Sequence, residues 1–326
     1  MSIFCSNRFL TIAALSIIAV CTFGLSGCAK NQLTPIRANI PLSSGAQLSP
    51  DESRRMENLP VEELLQRGKL ALANGDFQLA AVYFSTALTK EPQSIPARLG
   101  LGQAALAAGN YSSARTLIEE VLSVEPDSVP ALTARGRILS ASGQLEGAIA
   151  DFTQALQKAP NNTTTLTELA MTYDRMPERV VEAEPLYRKV LELSPDLAAA
   201  RNNLGFNYLL QGRAEEAVTI LSGALALDTK NSRILANLAT AYLLKGDKDK
   251  ALKIFRQTVG EAEAHNNIGY LYMTQSRWDE AEKAFRKALE LSPRYYVRAG
   301  ANLERLQELR VAATEKRSAP GLEPLR

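Results

Sequence analysis

Three asparagines, Asn203, Asn237 and Asn267, recur at near-equal intervals along the second half of this chain. A carboxamide donates and accepts hydrogen bonds at once, so a row of them on one surface can hold an extended polypeptide by its backbone. Bond-breaking chemistry finds far less to work with. The single histidine, His265, has no Cys/His set around it that would ligate a metal, and neither a nucleophile elbow nor a phosphate-cradling glycine loop occurs. Carboxylates such as Glu119-Glu120 and Glu215-Glu216 read as solvated helix surface. General acid–base work would need two of them converging in a pocket. The residues point to binding, with no catalytic residue, metal or cofactor expected.

A row of this kind needs elements that repeat. Gly68, Gly102, Gly136, Ala170, Gly205, Ala239 and Gly269 recur with a period of about 34 residues, the length of a helix–turn–helix unit. Ala80, Ala114, Ala148, Ala183, Ala217, Ala251 and Ala281 follow them at a near-constant offset. Self-similarity of this kind signals stacked hairpins, each burying surface against its neighbours. Gly75, Gly109, Gly143, Gly212 and Gly246 lie seven residues beyond the first-helix small residue, where a left-handed stop suits the turn. Pro92, Pro126, Pro160, Pro195 and Pro293 end the second helices. The fold class expected is all-α, a solenoid of about seven hairpins.

The expected units are 61–94, 95–128, 129–162, 163–197, 198–231, 232–261 and 262–295. A capping helix over 296–313, with Val297, Leu303, Leu306 and Leu309 on its apolar side, covers the last face; a disordered tail takes 314–326. Two units depart from the rule. In the fourth, Met176-Pro177 replaces the glycine turn, so the second helix should start late, near Glu182. The sixth is four residues short and has no closing proline near Gly260.

Composition agrees with a binding scaffold. The chain is 46% apolar but only 6% aromatic, as close-packed helices with small contact residues require. Its 37 basic and 35 acidic residues nearly cancel, and no like-charge block argues for nucleic acid. Nothing points to a small-molecule substrate.

The amino terminus is a separate object. Arg8 precedes an apolar run from Phe9 to Phe23, which is shorter than the roughly 20 residues that a bilayer span needs. It ends in Leu25-Ser26-Gly27-Cys28, which resembles the lipobox of bacterial lipoproteins. That resemblance implies a signal peptide over 1–27 and acylation of Cys28, with palmitate-type chains holding the protein to a membrane. Cys5 and Cys21 lie in the discarded segment, leaving no partner for a disulfide. Two acyl chains already give firm attachment. Ala29 and Lys30 follow the cysteine; the absence of Asp there favours the outer membrane under the same resemblance. Residues 28–60, with Pro35, Pro41, Pro50 and Pro60, read as a flexible tether.

The repeating residues resemble the tetratricopeptide family. Gly68, Ala80, Phe84, Ala87 and Pro92 stand at its spacings in the first unit, and Gly269, Tyr272, Ala281, Phe285, Ala288 and Pro293 in the seventh. The resemblance implies that first helices line a concave, partner-binding groove. Matching positions place Leu65, Lys69, Leu99, Gln103 and Arg137 there in the N-terminal units. In the C-terminal units they place Asn202, Asn203, Phe206, Arg233, Asn237, Asn266, Asn267 and Tyr270. The partner expected is a protein, as a peptide or helix in the groove. Lipobox and array together resemble the lipoproteins of pilus and secretion machines, especially the TadD-type lipoproteins of tight-adherence (Flp) pili. This implies a periplasm-facing role in assembling such a machine. The alternative is an adaptor for peptidoglycan synthases or hydrolases.

Overall fold

The computed structural model describes residues 56–292 and 296–318. The expected signal peptide, Cys28, most of the expected tether, Pro293 and the last residues of the expected tail lie outside them; the end of that tether is packed instead, with Met56 buried in the core and Leu59 O accepting from Lys90 Nζ at 2.8 Å. The chain divides into two compact units, one ending at Thr172 and one beginning at Tyr173.

The first unit stacks helical hairpins: α1 (Val61–Ala73) with α2 (Phe77–Lys90), α3 (Ile95–Ala107) with α4 (Tyr111–Val124), and α5 (Val129–Ala141) with α6 (Leu145–Lys158). Helix α7 (Thr163–Asp174) follows, its last two residues belonging to the second unit. The second unit continues with a 3-10 turn (Val180–Glu182) and α8 (Ala183–Leu193). Next come α9 (Ala198–Leu210) with α10 (Ala214–Leu227), α11 (Ser232–Lys245) with α12 (Lys248–Val259), and α13 (Glu261–Thr274) with α14 (Trp278–Leu291). Helix α15 (Tyr296–Ser318) closes it. Among the described residues every regular element is helical.

Each hairpin is fixed by a small residue meeting a large one. A β-carbon placed on Gly136 would lie 2.5 Å from the Phe152 ring, and one on Gly269 would lie 2.7 Å from Phe285. The second helices carry a third beat: Phe84, Ile118, Phe152, Tyr187, Leu221, Phe255 and Phe285, all 3% exposed or less. Burying such a side chain contributes roughly 1.5–3 kcal/mol. The turns follow equally local rules. Asp76, Asn110 and Asp247 accept hydrogen bonds from the amides of Leu79, Ser113 and Lys250, capping the second helices. Gly75, Gly109, Gly143, Gly212 and Gly246 take positive φ, as their spacing predicts. In the seventh hairpin Ser276 occupies that place at φ 58°.

In the second unit a cation stacks on an aromatic ring beside each turn: Arg179 on Tyr173, Arg213 on Tyr208, Lys250 on Tyr242 and Arg277 on Tyr272. These lie 4.3–5.2 Å from the ring centres and tie each turn to its first helix.

The irregular units resolve simply. After α7, Met176 and Arg179 make turn bonds to Tyr173 and Met176, and a regular helix resumes at Ala183, close to the expected start. In the sixth unit Gly260 alone joins α12 to α13, at φ 88° and ψ 171°, so the shortening falls on the connection and on α12, which has 12 residues against 14 in α10. This conformation is essentially restricted to glycine.

The closing helix differs from expectation at both ends. Val297 is 80% exposed and Leu309 is 40% exposed, whereas Ala299 and Leu306 carry the buried face with Leu303 packed beside them. The helix also runs past residue 313 to Ser318. No glycine or proline interrupts residues 301–318. No helix among the described residues is long and apolar enough to cross a membrane.

Candidate interaction surface

First helices α9, α11 and α13 place the expected groove residues on neighbouring elements of the second unit. Asn202, Asn203 and Phe206 on α9 are half-buried, as are Asn267 and Tyr270 on α13; Arg233 on α11 is exposed. Asn237 and Asn266 are buried, at 5% and 4% exposure. The asparagines divide into two groups because buried amides must find partners. Asn237 Nδ2 donates to Asn202 Oδ1 at 2.9 Å, and Asn302 Nδ2 on α15 donates to Asn266 Oδ1, also at 2.9 Å. The first bridge joins two consecutive first helices, and the second joins the last first helix to the closing helix.

The row of Asn203, Asn237 and Asn267 is therefore interrupted at its centre. Asn203 and Asn267 make no side-chain hydrogen bond among the described residues, while Asn237 is engaged in the scaffold. Between the half-exposed rings of Phe206 and Tyr270 the intervening repeat offers Thr240, buried and donating to Ala236 O at 2.9 Å. The cation of Arg298 pairs with Glu263 at 3.2 Å at one edge. This face is an amide-rich surface bracketed by two aromatic rings, and it also carries the exposed Arg233. It can offer hydrogen bonds to a peptide backbone and apolar contact to its side chains.

The first unit presents a different face. Leu65 is buried at 7% exposure and belongs to the core, because it packs with Leu64, Phe84 and Leu101. Lys69 is exposed, Leu99 and Gln103 are half-buried, and Arg137 pairs with Glu168 at 3.0 Å. Burial raises the Glu168 carboxyl above its usual range against the opposing pull of Arg137. His265 is half-buried on α13, 3.7 Å from Glu261, and burial lowers its pKa more than that carboxylate raises it. No group of three or more metal-ligating residues occurs among the described residues.

The polar cluster that sequence reasoning missed lies at the start of the second unit. Tyr187 Oη donates to Asp174 Oδ2 at 2.7 Å, and Asn207 Nδ2 donates to Asp174 Oδ1 at 2.6 Å. Burial pushes the Asp174 carboxyl up to about 7, partly opposed by these two donors. The signal was present as polar residues on core beats. Tyr187 stands where other repeats have Phe, Ile or Leu, and Asp174 where Leu72, Leu106, Leu209, Leu243 and Met273 stand.

Models of the tetratricopeptide repeat match residues 71–138, 129–162, 196–259 and 262–295, more than half of the chain. The chain belongs to the tetratricopeptide repeat family. An uncharacterized protein of Haemophilus influenzae is 30% identical over 106 residues, 31% of this chain and 59% of that protein. The human protein O-mannosyl-transferase TMTC1 is 30% identical over 116 residues, 34% of this chain but 13% of that protein. The matched region thus spans less than two thirds of either relative. A tetratricopeptide repeat protein from Parabacteroides merdae superposes with a TM-score of 0.53 at 20% identity, covering 76% of this chain and 98% of that one. That likeness concerns the fold. Tetratricopeptide arrays are protein-interaction scaffolds, and the tetratricopeptide first helices here carry the polar and aromatic side chains just described.

Proposed function

We propose that this chain is a lipid-anchored, periplasm-facing scaffold that holds a segment of an envelope protein on the first-helix face of its second unit. The observation that carries the reading is the pairing of uncommitted amides with rings on α9 and α13. Asn203 and Asn267 stand without side-chain partners among the described residues, beside the half-exposed Phe206 and Tyr270. A free amide in water loses little by waiting, and gains a backbone hydrogen bond when an extended segment arrives. The rings add apolar area at low conformational cost, because each has two rotatable side-chain bonds.

Attachment follows from Cys28. Acylated there, the protein is tethered, more in keeping with the outer than the inner membrane, through the residues between Cys28 and the packed segment that begins at Met56. A tethered array near the membrane suits assembly of a pilus or secretion machine of the tight-adherence type, where a TadD-like lipoprotein docks a secretin or pilus subunit.

Two experiments test the reading at separate points. Cells given labelled palmitate should label the wild-type chain and leave Cys28→Ser unlabelled; equal labelling rejects the anchor. Deleting the gene should abolish surface pili or secretin multimers. Normal piliation with altered wall growth contradicts the assembly role.

A further inference from the structure

Asp174 is 7% exposed and has no cation in contact with it among the described residues. Its carboxylate is held by two neutral donors, Tyr187 on α8 and Asn207 on α9. Asn207 does more than satisfy the carboxylate. The same Nδ2 donates to Val180 O at 2.8 Å, and its Oδ1 accepts from Gln211 Nε2 at 2.6 Å. One amide thus joins the end of α7, the 3-10 turn and α9. Three positions that are apolar in most other repeats have become polar together, where the repeat with the irregular turn meets the next one.

The surrounding charges are committed elsewhere. On the turn, Arg179 is bound by Glu182 at 2.8 Å and lies over the Tyr173 ring, while Arg175 and Glu178 are exposed. On α8, Glu184 takes Arg188 at 2.9 Å and Arg213 from the following turn. Tyr208 on α9 donates to that same Glu184 at 3.0 Å. None of these groups touches Asp174, so its charge has only the two neutral donors and little water.

The two protonation states use this geometry differently. As a neutral acid, Asp174 keeps one oxygen as acceptor for Asn207 and donates its proton to Tyr187 Oη, since a hydroxyl can reverse its role. As an anion, it must remain desolvated without a counter-charge, which is costly in a low-dielectric site. The cheapest relief is to admit water by undocking the short turn that Asn207 holds through Val180.

We propose that Asp174, Tyr187 and Asn207 form a proton-operated latch, keeping the turn over residues 175–182 docked when Asp174 is protonated and releasing it when Asp174 ionises. The pH at which the buried carboxyl titrates, about 7, lies where modest acidification or alkalinisation would work the latch. The latch goes beyond the binding face and does not depend on it.

Amide hydrogen exchange of the full chain, corrected for the intrinsic base-catalysed rate, tests this between pH 5.5 and 8.5. Protection of residues 175–182 should fall about tenfold or more as pH rises through 7, while the turn at residues 246–247 stays unchanged. Asp174→Asn, which imitates the neutral acid, should remain protected throughout. Tyr187→Phe removes a donor that favours the anion, so its transition should move to higher pH. That variant decides the matter if Asp174→Asn does not fold. A pH-independent turn in the wild type overturns the latch. So does wild-type pH dependence retained in Asp174→Asn, or an unmoved transition in Tyr187→Phe.

Discussion

Asn237 on α11 gives its Nδ2 hydrogen to Oδ1 of Asn202 on α9, 2.9 Å away, so an amide expected to face a partner instead joins two repeats. Asn203, one residue from that acceptor, makes no such bond. Neighbouring asparagines of one helix therefore serve the scaffold and the surface separately.

That division is measurable by stability. Asn237→Ala removes a buried donor and leaves the Asn202 oxygen without its partner, which should cost about 1–3 kcal/mol. Asn203→Ala touches no bond and should change stability by less than about 0.5 kcal/mol. Urea denaturation of the two variants checks the contrast, and equal losses would contradict it.

The turn of the seventh hairpin carries strain that the other turns avoid. Ser276 sits at φ 58°, where glycine serves in five earlier turns. Ser276→Gly should raise stability by about 0.5 kcal/mol, the relief of the β-carbon clash exceeding the added chain entropy. Gly246→Ala, at φ 96°, should lower it by about 1 kcal/mol or more. Thermal denaturation reads both; a destabilised Ser276→Gly would refute the strain.

Close approach within a hairpin gives a third test. Gly136→Ala forces a β-carbon to within 2.5 Å of the Phe152 ring, which is buried among neighbours and cannot swing aside. A loss of about 1–3 kcal/mol is expected. Phe152→Leu in the same chain should recover part of it, and additive losses would contradict the clash.

The pH dependence has a definite sign. Asp174 titrates near 7 in the fold against 3.8 for an ordinary aspartate, so the folded chain holds the proton more tightly than the unfolded one. The stability this provides is complete below pH 3.8 and is lost as pH rises to about 7, by up to roughly 4 kcal/mol. Chemical denaturation of wild type and Asp174→Asn at pH 5 and pH 8 checks it. The variant should lose less between the two pH values; parallel losses would show that Asp174 contributes nothing to the slope.

The repeat was legible because its causes are local and recur. A small residue where helices cross and a left-handed glycine at the turn leave their marks in one hairpin after another. Even the late start of α8 could be read, from Met176-Pro177. The closing helix was read less well, since no second copy of it exists to set the phase. The sequence pattern puts Val297 on the apolar side, whereas Ala299 holds the buried position. The binding face suffered from a related limit. Repeat register puts Asn203, Asn237 and Asn267 in step, but not which of them a neighbouring repeat will claim. That depends on Asn202 one residue away and on Asn302 in the cap. Asp174 and Tyr187 are far enough apart in sequence to look like unrelated departures until folding placed them 2.7 Å apart.

The central claim, that the α9–α13 face holds a protein segment, is tested most directly by site-specific photocrosslinking in cells. Crosslinkers at Phe206 and Tyr270 should capture one and the same envelope protein, identified by mass spectrometry. A crosslinker at the exposed Lys283 on α14 should not capture it, and Asn203→Ala with Asn267→Ala should reduce capture severalfold. Capture equal at all three positions, or unchanged in the double variant, would contradict the account.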